Sequence, residues 1–168
     1  LGGVINEQNA SESTIKVILM NSDDLQPIVI PPDSGKVLNF LGVTHKLTAP
    51  HTGSAYYLFG FDFEPESGNG LHVYSYEDEV VYVLEGAIQI RLGDRNLQAV
   101  AGGVAHLPKR SPHALYNPLK APPRYLAIAE PGGMENFFDE LSAAQEAGTL
   151  DDAMHKKISR MRGIGWSE

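Results

Sequence analysis

Two imidazoles and a carboxylate could do chemistry in this chain. They are His72, Glu79 and His113, carried by two separated clusters, Gly70 to Glu79 and Pro108 to Asn117. Brought together, two histidines and one carboxylate make a three-ligand face for a divalent metal and leave coordination positions open. An open face lets a metal act on a bound molecule instead of only holding a fold. His72 and Tyr74 stand two residues apart, so a strand would project both to one side. Glu79 begins the next strand after a connection through Ser75 to Asp78. His113 follows the turn at Lys109 to Pro112 and completes the set from a more distant strand.

The elements that must position these groups read as short strands. Thr14 to Met20 is expected to be extended, as is Lys36 to Leu47 after the breaks at Pro27, Pro31 and Pro32. Ala55 to Phe63 alternates cleanly, with Tyr57, Phe59, Phe61 and Phe63 on one face. A buried strand follows in Val80 to Leu84, and Ala87 to Leu92 opens a hairpin closed by Gly93-Asp94. Shorter strands surround Val104 to Leu107, Ala114 to Asn117 and Tyr125 to Ala129. Short strands at regular intervals predict an all-β antiparallel sandwich or barrel. Helix is expected only at the end. Met134, Phe137, Phe138 and Leu141 recur at helical spacing, with Gly148 as the stop, and Thr149 caps a second helix bearing Met154, Ile158 and Met161. The expected organisation is a flexible arm at 1–13, a barrel at 14–131 and a helical segment packed on it at 132–168.

Composition narrows the function classes. The chain has 168 residues, no cysteine and a net charge of −8. Lacking thiolates, any metal must be held through nitrogen and oxygen. The acidic balance argues against a nucleic-acid partner. No run approaches the roughly 18 apolar residues of a membrane span. A cytoplasmic location is favoured, with secretion as the alternative; Asn9-Ala10-Ser11 fits the short glycosylation acceptor pattern. A homodimer is expected, paired through the N-terminal strand and the open barrel edges.

The two clusters resemble the motifs of the cupin superfamily. The first motif runs Gly-x5-His-x-His-x3–4-Glu-x6-Gly, and here His72, Tyr74, Glu79 and Gly86 follow that spacing. The second runs Gly-x5-Pro-x-Gly-x2-His-x3-Asn, matched by Gly102, Pro108, His113 and Asn117. Three positions depart: Tyr74 replaces the second histidine, Glu66 replaces the first glycine, and Arg110 replaces the glycine after Pro108. The flanks Tyr76 to Gly86 and Pro131 to Phe138, with the tail to Trp166, look similar to quercetinase-like single-domain cupins.

That resemblance implies a double-stranded β-helix (jelly-roll) barrel with short C-terminal helices. It also implies metal-dependent dioxygenase chemistry on a small phenolic, flavonoid-like or polyketide-like substrate. His72, Glu79 and His113 would hold the metal, Fe(II) by preference, with Ni(II), Mn(II), Zn(II) or Cu(II) as alternatives. Glu79 would shuttle the substrate's proton. Tyr74 would ligate as phenolate, serve as acid or base, or fill the space of an absent metal. Two other functions stay open: a non-oxidative isomerase, cyclase or lyase using Tyr74, and a non-catalytic small-molecule-binding cupin. Tyr57, Phe59, Phe61 and His106 are the candidate pocket residues. Glu77 and Asp78 read as solvated turn residues, and His45, His51 and His155 have no assigned role.

Overall fold

The computed structural model describes residues 25–32, 34–38 and 42–167. The arm at 1–13 and the strand expected over Thr14 to Met20 lie outside the described residues. Two antiparallel sheets face each other. One contains β1 (Lys36–Val37), β2 (Val43–Leu47), β3 (Tyr57–Phe61), β5 (Asp78–Glu85), β8 (Val104–Leu107) and β10 (Arg124–Glu130), in the order β1-β2-β3-β10-β5-β8. The other contains β4 (His72–Tyr74), β6 (Ala87–Leu92), β7 (Arg95–Val100), β9 (His113–Tyr116) and β11 (Ile164–Trp166), in the order β11-β4-β9-β6-β7. A short helix α1 (Ala49–Thr52) links β2 to β3, while α2 (Glu135–Glu146) and α3 (Asp152–Met161) precede β11.

Side-chain alternation explains which face each strand buries. Tyr57, Phe59 and Phe61 of β3 point into the core, while Leu58 and Gly60 are half-buried. The rings stack in sequence: Tyr57 and Phe59 lie 4.4 Å apart and nearly parallel, and Phe61 meets Tyr125 edge-on at 4.7 Å. Ala127 of β10 sits opposite Phe59 on one side and Val81 on the other. Its single methyl leaves room for the ring, so a larger residue there would overpack the core. The β6–β7 hairpin turns at Gly93-Asp94 with Leu92 paired to Arg95. Gly93 has φ +57, a conformation that glycine adopts freely.

The tail closes one mouth of the barrel. Met134, Phe137, Phe138 and Leu141, on and just before α2, are all buried. The α3 cap is Asp151, whose side chain accepts from Met154 N at 2.7 Å, instead of Thr149. The Thr149 hydroxyl donates to Ala144 O, and a carboxylate better suits the positive helix start. Met161, expected on the apolar face, is exposed. After α3 the chain adds β11 to the edge of β4, pairing Trp166 with His72; the helical reading gave no sign of this strand. No described helix is long and apolar enough to cross a membrane.

Candidate functional site

The sheet register brings the two histidines together. His72 on β4 and His113 on β9 are direct cross-strand partners, with ring centroids 4.4 Å apart. Glu79 comes from β5 in the opposite sheet and reaches across the interior. All three are almost completely buried. Each imidazole is oriented the same way. His72 Nδ1 lies 2.9 Å from Gly70 O, and His113 Nδ1 lies 2.9 Å from Ser111 O. A carbonyl only accepts, so each Nδ1 carries its proton and each Nε2 is left for another partner.

His113 Nε2 stands 3.3 Å from Glu79 Oε2. The two are not aligned as a hydrogen bond, and both atoms are buried without a partner. Burial works to lower the His113 pKa, but the Glu79 carboxylate beside it outweighs this and the net shift is upward. His72 goes the other way: burial, then repulsion from His113, lowers its pKa to about 4. It is a neutral imidazole near pH 7. Tyr74 is pushed well above the ordinary phenol value by burial, then by Glu79 and Glu77, so its hydroxyl keeps its proton. Its ring lies 4.8 Å from His72 and 5.2 Å from His113.

These donors fit a divalent first-row metal in chemistry: two imidazole nitrogens held in the ligating tautomer, one carboxylate, and two buried atoms awaiting a partner. Their positions alone do not complete a site. Among the described residues no group of three or more His, Asp or Glu side chains is placed to hold a metal ion. The Glu79 and His113 tips meet at 3.3 Å.

His72 and Tyr74, but not Glu79 or His113, line a cavity whose barrel side Phe59, Phe61 and Phe63 complete; it is small, about 40 Å³. That is room for a water or two, not for an aromatic ring system. Phe137 and Phe138 of α2, His155 of α3 and Trp166 of β11 form the other side. Phe59 and Phe61 are lining residues of this cavity. Tyr57 is not: it is fully buried behind Phe59, with its hydroxyl 2.5 Å from His45 Nδ1. His106 is exposed, because β8 pairs Leu107 with inward-facing Glu79 and His106 with Val80. Arg91 and Arg124 are also exposed, on outer faces.

Sequence reasoning missed the burial of Glu77, which lines a separate outer pocket, and the tail residues that line the cavity. Glu77, read as a solvated turn residue, is buried in the same inward row as Glu79, Val81 and Val83. Its spacing of two from Glu79 carried that signal. Asp78, also read as a solvated turn residue, instead opens β5 opposite Glu130, and its carboxylate accepts from Lys109 N at 2.8 Å, tying the two clusters together. His155, Trp166 and Phe138 reach the cavity through the packing of the tail, which no local pattern announces.

Residues 60–129 match the family model described as Cupin domain. Among solved structures, the chain is similar to KdgF from Halomonas sp., at 14% identity and TM-score 0.54, covering 64% of this chain and 97% of that one. It is similar also to a Cupin 2 conserved barrel domain protein from Salinispora arenicola CNS-205, at 17% identity and TM-score 0.52, covering 81% and 98%. At these identities the likeness bears on fold alone. Comparison with curated proteins yields no match. The two facing sheets and the fold likeness to these structures give the architecture of a cupin-type jelly-roll barrel, within which residues 60–129 resemble the cupin model.

Proposed function

We propose that the protein is an enzyme acting on a small phenolic, flavonoid-like or polyketide-like molecule, as a quercetinase-like dioxygenase. A divalent metal, Fe(II) by preference, would be held by His72, Glu79 and His113. The observation that supports this is the sealed pair of unpartnered tips, Glu79 Oε2 and His113 Nε2, beside a neutral His72 whose protonated nitrogen is turned to the backbone. When bound, the metal supplies Lewis acidity and, if redox-active, a route to dioxygen.

The chain's own groups do the rest. Glu79 takes the proton as a phenol or enol ionises, and His113 shares it across the short gap. Tyr74, keeping its proton, donates a hydrogen bond to the oxygen left behind. Phe59 and Phe61 supply an apolar wall, and Trp166 with α2 excludes water. Because the cavity is about 40 Å³, admission of a ring requires the tail residues lining it to move.

A second reading has its own support. Tyr74 stands in place of an imidazole, and the described residues form no three-donor cluster. Both favour a non-oxidative isomerase, cyclase or lyase in which Tyr74 and Glu79 act as acid and base. Oxygen uptake with polyphenols and enolisable ketones, run beside elemental analysis of the purified protein, separates the two. Turnover that continues unchanged under strict anaerobiosis rules out the dioxygenase.

A further inference from the structure

The six-stranded sheet is apolar over much of its outer face as well as its inner one. Tyr57, Phe59 and Val81 point inward, so the residues between them point out. The register lines these up in two rows. Leu58, Ile128 and Val80 lie side by side across β3, β10 and β5, and Leu126, Tyr82 and Val104 across β10, β5 and β8. Ile128, Tyr82 and Val104 are exposed, as is Leu84 further along β5. Soluble chains rarely leave a contiguous apolar patch of more than a few hundred Å² open to water.

A strap at 25–32 crosses one side of this face. Its Ile28, Ile30, Pro31 and Pro32 form one wall of a groove of about 620 Å³, and Leu58, Leu84 and Leu126 belong to the other. The described residues begin in this strap, at Leu25. Leu25 sits against Gly53, where an added Cβ would meet its Cδ1 at 3.4 Å. The chain before Leu25 therefore leaves from the end of the sheet where β3 begins.

Residues 14–20 are the apolar stretch of that preceding chain. Ile15, Val17 and Leu19 stand at alternate positions, and Lys16 is its one charge. At about 3.3–3.6 Å per residue, the connection from Met20 to Leu25 spans up to about 17 Å. The width from β3 through β10 and β5 to β8 is about 14 Å at a strand spacing of about 4.8 Å. The stretch thus reaches every row of the face. So short a tether also holds it at an effective concentration on the order of millimolar, above that at which a second copy competes in dilute solution.

We propose that the outer face of this sheet is the docking surface for the chain's own residues 14–20, which lie in the groove beside the strap with Ile15, Val17 and Leu19 turned to the sheet. The docking is independent of the chemistry at Glu79, and its test needs no turnover.

Because the chain has no cysteine, single cysteines report accessibility. Leu84 in the groove and Leu97 on β7 of the other sheet form a matched pair, each 46% exposed. In the full chain, iodoacetamide should alkylate Leu84→Cys about 10-fold more slowly than Leu97→Cys, each rate referred to its own value in urea. Adding Val17→Asp should raise the Leu84→Cys rate to that of Leu97→Cys. Lys16→Gln, of opposite parity, should leave the protection in place. Equal rates at the two sites with the segment unaltered overturn the proposal, as does protection that survives Val17→Asp. Protection that fades on dilution, with a dimer in sedimentation velocity, overturns it by giving the face to a second copy. Neither cysteine replaces a buried side chain, so the first comparison decides the matter even where a segment variant fails to fold.

Discussion

Replacing Arg110 or Glu66 by glycine should stabilise this protein. Both stand where the resembled motifs carry glycine, and both keep the backbone that glycine would adopt, with φ of +63 and +53. That left-handed conformation costs an L-residue about 1–2 kcal/mol. It persists because the backbone is tied on the far side of each turn: Arg110 N donates to Tyr74 O at 2.7 Å, and Glu66 N to Leu119 O at 3.3 Å. The first bond docks the Lys109–Pro112 turn onto the strand that carries His72. Both side chains are exposed, so their removal uncovers little. Glycine also gains freedom in the unfolded chain, which offsets about 0.4–1 kcal/mol. The net gain is about 0.5–1 kcal/mol for each substitution, or roughly 1–4 °C in Tm for a chain of this size. With no shared partner, the two should add. Scanning calorimetry reads both. Lys120→Gly, at an exposed position outside the positive-φ set, is the comparison and should lower Tm. A fall in Tm for Arg110→Gly comparable to that of Lys120→Gly would refute the strain argument.

Other expectations follow from the site and its walls. Phe137→Ala removes a ring that separates the inner cavity from the outer pocket; it should cost about 3–4 kcal/mol, seen as a lower urea midpoint at unchanged slope. A loss under about 1 kcal/mol means the ring is not packed as described. His113→Ala should abolish metal retention in elemental analysis, and full occupancy would show the ligand set to be misassigned. Tyr74→Phe should slow turnover at least 10-fold if the phenol touches substrate, and unchanged activity and metal content would leave it without a role. His45, buried and facing Asp139, has its pKa lowered by burial more than the carboxylate restores. A depressed histidine contributes stability that is complete above the unfolded value of about 6.5 and is lost as pH falls through the folded value. Denaturation followed between pH 7 and 4 should therefore show less acid loss in His45→Asn than in the unaltered chain; identical slopes would contradict it.

Much of the site could be read from local pattern. The two-residue spacing of His72 and Tyr74 put both on the inner face of β4, and the run from Tyr57 to Phe63 gave the lining rings Phe59, Phe61 and Phe63. Where the reading failed, parity or distance was at fault. His106 sits one residue from Leu107, and the register of β8 against β5, not its own sequence, turned it outward. Tyr57 shares a face with Phe59 but is tied up by His45, a residue of the neighbouring strand. Glu77 looked like turn chemistry because the chain changes parity between Tyr74 and Glu77, at the half-exposed and exposed residues Ser75 and Tyr76.

Alternation, turn residues and the spacing of polar groups are local properties, and they were enough to determine a strand-rich barrel and terminal helices, with His72 and Tyr74 on one face of their strand. The pairing of His72 with His113, the approach of Glu79 from the opposite sheet, and the closing of the cavity by Phe137, His155 and Trp166 were decided only in the folded chain. Each depends on which distant backbone lies alongside, and hydrogen bonding between strands far apart in order settles that through the whole core at once.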